Sequence, residues 1–272
     1  MKRPAVQWTL AVVVTLASAV FQRMTGPTHP VRGRVDVGGA EVRLRLTRSH
    51  GGPGDQPIRI VVPDAAVTGT VAWRHFPTDE EWKVLPMERR GEALEAALPH
   101  QPPAGKLEYQ VRLSRGGETA VFPARPAVTR FKGDVPLPVL LLHVAAMFAG
   151  MLLATAAGLR ALVPGGDPMR LAVWAGAVLT VGGFVLGPLV QKAAFGAYWT
   201  GIPFGWDLTD NKTLFAIAAW AAALAAMRGG RARTRVAVVA AAVVTMVVFA
   251  IPHSVWGSQI DWSKVPRSES RP

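Results

Sequence analysis

The fold class this chain predicts is a membrane α-helical bundle of about five transmembrane helices with an inserted extracytoplasmic all-β domain. Three observations carry that expectation. Half of the 272 residues are hydrophobic even though the formal charge is +12. Apolar runs of membrane-grade hydrophobicity occupy about residues 6–21, 138–162, 171–190, 214–227 and 236–251. Between the first run and the second, the pattern changes to short segments that alternate apolar and polar residues.

The first run follows a basic start, Met1-Lys2-Arg3. It is short for a hydrocarbon core about 30 Å thick. Leu16, Ala17, Ser18 and Ala19 fit a signal-peptidase site, whereas Trp8 and Phe21 bracket the run as interface residues would. Residues 1–21 are thus an uncleaved anchor or a signal peptide, and either sends the following segment outward.

Over residues 22–135 the alternation has a period of two, in stretches at 35–37, 41–46, 57–62 and 106–113. Such a period gives each strand one buried and one wet face. Turn residues separate the stretches at Gly38-Gly39, Gly51 to Gly54, Pro99 to Gly105 and Gly116-Gly117. This spacing is that of an immunoglobulin- or fibronectin-like sandwich of about 100 residues. Trp73 and Tyr109 are expected in its core.

The remaining apolar runs form a four-helix transmembrane domain over residues 136–254. Arg160, Arg170, Arg228, Arg231, Arg233 and Arg235 fall in turns on one side, where the positive-inside bias puts the cytoplasm, and Lys2 and Arg3 agree. The N-terminus is then cytoplasmic. The β domain, an aromatic loop at 191–213 and a tail at 255–272 all face outward. In a bacterial cell this describes a multi-pass inner-membrane protein with a periplasmic sandwich.

Composition limits the chemistry. With no cysteine, the chain has no disulfide, thiolate metal site, thiol nucleophile or covalent c-type haem attachment. Any metal or haem iron would need His, Met or carboxylate ligands. The basic residues follow membrane topology, so nucleic acid is not expected as a partner, whereas the lipid bilayer is. No nucleophile motif, phosphate loop or catalytic carboxylate pair occurs, which favours a non-enzymatic role and leaves an enzymatic one open.

The residues that could carry chemistry gather at the outer face. His143 lies in an apolar run near its outer end, with Met147 and Met151 on the same helical face. The run at 236–251 ends just before His253. Topology gives the two histidines the same depth, flanking the aromatic loop. Two such imidazoles can ligate a haem iron, and they are also the candidate metal ligands; a helix-end cap is the plainer reading of His253, and packing that of the methionines. Within the loop Gly196, Gly201, Pro203 and Gly205 break the helix, while Tyr198, Trp199 and Trp206 offer flat apolar faces. An interfacial aromatic belt would use the same residues. Asp207 and Asp210 suit helix caps, and Lys212 can pair with them or with a propionate.

Gly196, Tyr198, Trp199, Trp206 and Asp207, then Trp220, the arginine turn at 228–235 and His253-Ser254, follow one another in an order that resembles the WWD-domain haem-handling proteins of cytochrome c maturation. The likeness runs from about residue 142 to 254, and Phe195 stands where that family has its first tryptophan. The resemblance implies that the loop holds haem and that His143 and His253 are its axial ligands. Two functions are therefore expected: haem or a similar planar cofactor bound at the periplasmic face in cytochrome assembly or electron transfer, or an accessory subunit whose sandwich binds a periplasmic or membrane protein. Ion or proton movement through Asp207, Asp210 and Lys212 is a third reading, with no second intramembrane charge to support a relay.

Overall fold

The computed structural model describes residues 4–252, 257 and 259–262. The chain forms two compact units: it leaves the helical one after Pro27, returns to it at Val135, and passes to the β unit again at Gln259.

The helical unit contains α1 (Pro4–Thr25), α2 (Leu137–Leu162), α3 (Met169–Thr180), α4 (Gly187–Phe195), α5 (Leu208–Ala226) and α6 (Arg231–Ala250). A π-helical turn, Val181–Leu186, joins α3 to α4 without a break. Pro188 explains why the turn widens here: it has no N–H to return to the carbonyl four residues earlier, and its ring crowds that carbonyl. Among the described residues, four helices are long and apolar enough to cross a membrane: α1, α2, the continuous Met169–Phe195 and α6. The fifth expected span, α5, falls outside that set because its first turns carry Thr209, Asp210, Asn211, Lys212 and Thr213.

Burial in this unit runs opposite to that of a soluble bundle. Helix α1 turns Gln7, Ala11 and Thr15 inward and leaves Val13, Leu16, Val20 and Phe21 exposed. The interhelical core is built from Ala154, Ala157, Ala161, Ala172, Ala175, Ala223, Ala241 and Ala242 around Trp220. Lipid tails are as apolar as leucine, so large side chains gain nothing by turning inward, and small ones let backbones approach. A Cβ on Gly150 would meet Leu179 at 2.6 Å, and one on Gly158 would meet Ala242 at 2.7 Å. Trp220 Nε1 donates to Thr245 Oγ1 at 2.8 Å, a buried polar link between α5 and α6.

The β unit comprises β1 (Val31–Val37), β2 (Ala40–Leu46), β3 (Ser49–Gly51), β4 (Gln56–Val61), β5 (Thr68–His75), β6 (Lys83–Pro86), β7 (Glu88–Arg90), β8 (Ala93–Leu98), β9 (Lys106–Arg115) and β10 (Glu118–Lys132). They pair as a β1-β2 hairpin, a sheet in the order β3-β10-β9-β5-β6 and a sheet in the order β4-β8-β7. Alternating residues from all three enter one core, including Val42, Leu46, Ile58, Ile60, Trp73, Leu94, Tyr109 and Phe131. The Tyr109 hydroxyl donates to the Thr47 carbonyl at 2.6 Å, and burial pushes its pKa above the ordinary tyrosine value. Residues near the C-terminus complete this unit. Lys106 Nζ donates to Gln259 Oε1 at 2.9 Å, Trp262 Nε1 donates to the Phe76 carbonyl at 3.2 Å, and the Trp262 ring lies 4.2 Å from that of His75.

Candidate functional site

The aromatic loop is shorter than the sequence predicts. Helix α4 continues through Gln191 and Lys192 to Phe195, and α5 begins at Leu208, so the non-helical stretch is 196–207 and not 191–213. Both boundaries have local causes. Gly196 adopts φ +85°, the left-handed conformation that ends a helix, and its N–H bonds the Lys192 carbonyl. Asp207 caps α5, its Oδ1 accepting from the N–H groups of Thr209 (2.7 Å) and Asp210 (3.4 Å).

The polar residues that follow are buried and bonded. Asp210 Oδ2 accepts from Thr200 N (2.6 Å), Thr200 Oγ1 (3.2 Å) and Gln191 Nε2 (2.9 Å), which ties α5 to both the loop and α4. Asn211 Oδ1 accepts from Ile202 N at 2.7 Å. Gly201 is needed beneath this knot, since a Cβ there would meet Asp210 Cβ at 2.6 Å. Lys212, 4% exposed, donates to the Ile251 carbonyl at 2.6 Å. Gln22 of α1 donates to the Phe249 and Ile251 carbonyls at 3.0 and 3.4 Å. The end of α1, the start of α5 and the end of α6 are thereby fastened together.

His143 sits six residues into α2, about 9 Å along its axis. Its Nδ1 lies 3.0 Å from the Gly182 carbonyl in the π-helical turn. A carbonyl only accepts, so Nδ1 carries a proton, and in the neutral form of the ring the lone pair is then on Nε2. That arrangement, one ring nitrogen anchored on a carbonyl and the other left as a base, is the one that fixes histidine ligands. The same turn meets the loop: the ring of Phe184 stands edge-on to Trp199, with centroids 5.5 Å apart at 87°. Trp199 Nε1 donates to the Ile202 carbonyl at 3.1 Å. Met147, a possible companion ligand, packs closely on Gly182, and Met151 is buried.

The sequence-derived site residues therefore separate. His143 and Trp199 converge on the π-helical turn. Tyr198, Phe204 and Trp206 stand outward at 57%, 81% and 83% exposure, with Lys192 Nζ 5.5 Å from the centre of the Tyr198 ring. Asp207 and Lys212, expected beside a cofactor, are engaged as a helix cap and as a tie to α6. His253 lies outside the described residues. The residues that sequence reasoning missed are Gln22, Gln191, Asn211 and the π-helical turn itself. Only the turn has a local signal, the Gly182-Gly183 pair followed by Gly187-Pro188.

In the β unit, His50 and His100 had no link by spacing. Their Nε2 and Nδ1 atoms lie 2.9 and 3.2 Å from one carbonyl, that of Gly54. No set of three His, Cys, Asp or Glu side chains suited to a metal ion occurs among the described residues.

No family model matches this chain, and no curated protein matches it. Among solved structures it is similar to the FN1–FN3 domains of chicken CNTN1, at 15% identity and a TM-score of 0.22, over 35% of this chain and 39% of that one.

Proposed function

We propose that this chain is a multi-pass bacterial inner-membrane protein that holds haem, or a similar planar cofactor, at the periplasmic end of its helices in cytochrome assembly or electron transfer. One observation carries the reading: His143, with Nδ1 anchored on Gly182 and Nε2 left as a base, and Trp199 meet at one π-helical turn. Imidazole and aromatic faces suit haem iron and macrocycle respectively. His253 is the second axial ligand in this proposal, and it follows Ile251, whose carbonyl Lys212 and Gln22 hold. Tyr198 and Trp206, exposed in the same loop, are the further aromatic faces of this proposal. The cofactor would supply the redox chemistry. The protein's part is to hold the iron and shield the ring.

The topology of the proposal has five spans and a fibronectin-like sandwich inserted after the first. Chain connectivity supports it. Gln259 and Trp262 belong to the β unit, which supports a chain that leaves and re-enters the bilayer on one side between Asp134 and Gln259, and so an even number of crossings in the proposal. Helix α2, the Met169–Phe195 helix and α6 make three, and α5 supplies the fourth; at 19 residues it is about 28 Å long, close to the core thickness. The arginines from Arg228 to Arg235 then lie in the cytoplasm, as the positive-inside bias requires.

Absorption spectra of the purified protein supplied with haem test the proposal. A haem band in the wild type that is lost in both His143→Ala and His253→Ala is expected. A wild type with no band after haem is supplied overturns it. The exposed Tyr198, Phe204 and Trp206 favour a second reading, an accessory subunit that docks on a larger membrane complex. Affinity purification that returned this chain alone would remove that alternative.

A further inference from the structure

The β1-β2 hairpin carries a graded charge on its outer face. Its inner face is fixed by the core, with Val37, Val42, Leu44 and Leu46 buried and Gly33 pressed against the Phe122 ring, so the period of two forces the alternate residues outward. Those outward residues pair across the strands as Arg32 with Arg45, Arg34 with Arg43, and Asp36 with Glu41. All six are exposed. Like charges placed directly opposite destabilise a hairpin, so two consecutive arginine rows call for an external anion. Glu41 partly neutralises the second row, at 3.3 Å from Arg34 and 3.9 Å from Arg43. Neither Arg32 nor Arg45 has a side-chain hydrogen bond or ion pair among the described residues. The four arginines line a shallow depression of about 550 Å³.

We propose that this arginine face binds the phosphate groups of anionic lipids at the membrane surface. The order of the rows points to lipid. Five residues, 26–30, separate the end of α1 from the start of β1, a tether of at most about 18 Å. The unneutralised row is the one next to that tether, and the acidic row is at the far turn. A surface whose positive charge increases toward the lipid end of its own anchor is complementary to a negatively charged bilayer. Arginine suits the task because its planar fork engages two phosphate oxygens at once. This inference rests on α1 lying in the membrane, not on haem.

Modification of arginine by phenylglyoxal, mapped by mass spectrometry on the full chain in lipid nanodiscs, tests it, with Arg59 as internal reference. Discs containing phosphatidylglycerol should slow modification of Arg32 and Arg45 by about fivefold relative to phosphatidylcholine discs, and high salt should abolish the difference. Arg45→Glu, which sets opposite charges across the strands and keeps the hairpin paired, should remove the protection at Arg32. Equal rates in the two kinds of disc overturn the proposal. So does protection by inorganic phosphate in phosphatidylcholine discs without protection by phosphatidylglycerol, or protection that appears only when an acidic protein is added.

Discussion

The first turns of α5 and the loop just before them invert the ordinary relation between polarity and burial. Asp210, Asn211 and Lys212 are at most 5% exposed, while Phe204 and Trp206 are more than 80% exposed. A carboxylate, an amide and an ammonium survive burial because each has a specific partner, in Thr200 and Gln191, in Ile202, and in Ile251. The aromatic rings have no such need, and the polar knot holds them outward. The conspicuous residues of this segment thus differ in what they do for the fold: the charged ones build the end of the bundle, and the aromatic ones stand exposed beside it.

The largest test of that division is Asp210→Ala. It removes the carboxylate that accepts from the Thr200 N–H, the Thr200 hydroxyl and the Gln191 amide, leaving the amide only Thr200 Oγ1, and a loss of about 3 kcal/mol is expected. Thermal unfolding in detergent measures it, and an unchanged midpoint would mean that Asp210 does not hold α5 to the loop and α4. Lys212→Met should have a smaller effect, about 1 kcal/mol, since the methionine replaces most of the buried stem and Gln22 still serves the Ile251 carbonyl. The same unfolding assay reads the difference between the two variants. Smallest of all in stability is the combined Tyr198→Ala, Phe204→Ala and Trp206→Ala variant, within about 0.5 kcal/mol of the wild type. On the proposed function that variant nevertheless takes up less haem, as titration at the haem band would record. Unchanged uptake would assign these rings to the lipid interface.

The two units were legible to different degrees. In the β unit a period-two pattern with turn residues at 38–39 and 116–117 marks strands directly, and Trp73 and Tyr109 face each other across β5 and β9 in the core. Burial on one face writes itself into every second residue. The helical unit gives a weaker signal. Its hydrophobic runs locate the helices, but the run at 171–190 stops five residues before the Met169–Phe195 helix ends, and the run at 214–227 starts six residues after α5 does at Leu208. The polar residues at those ends look like loop until their partners are known.

The candidate site divides along the same line. His143, Trp199 and Asp207 stand out by residue type, within an apolar run or an aromatic segment. That Asp207 caps a helix is local chemistry, readable from its place before α5. That Lys212 turns to Ile251, that Gln191 and Gln22 join the same network, and that His143 meets the π-helical turn are not. These pairs are 19 to 229 residues apart, and no local periodicity encodes a partner at such a distance.

The sequence by itself determined the helices, the strands and their polarity, because hydrophobic periodicity and turn chemistry act between near neighbours. Tertiary structure alone decided which polar groups were consumed by the fold and which rings and imidazole were left over. A buried charge persists only beside a partner, and that partner lies on another segment of the chain.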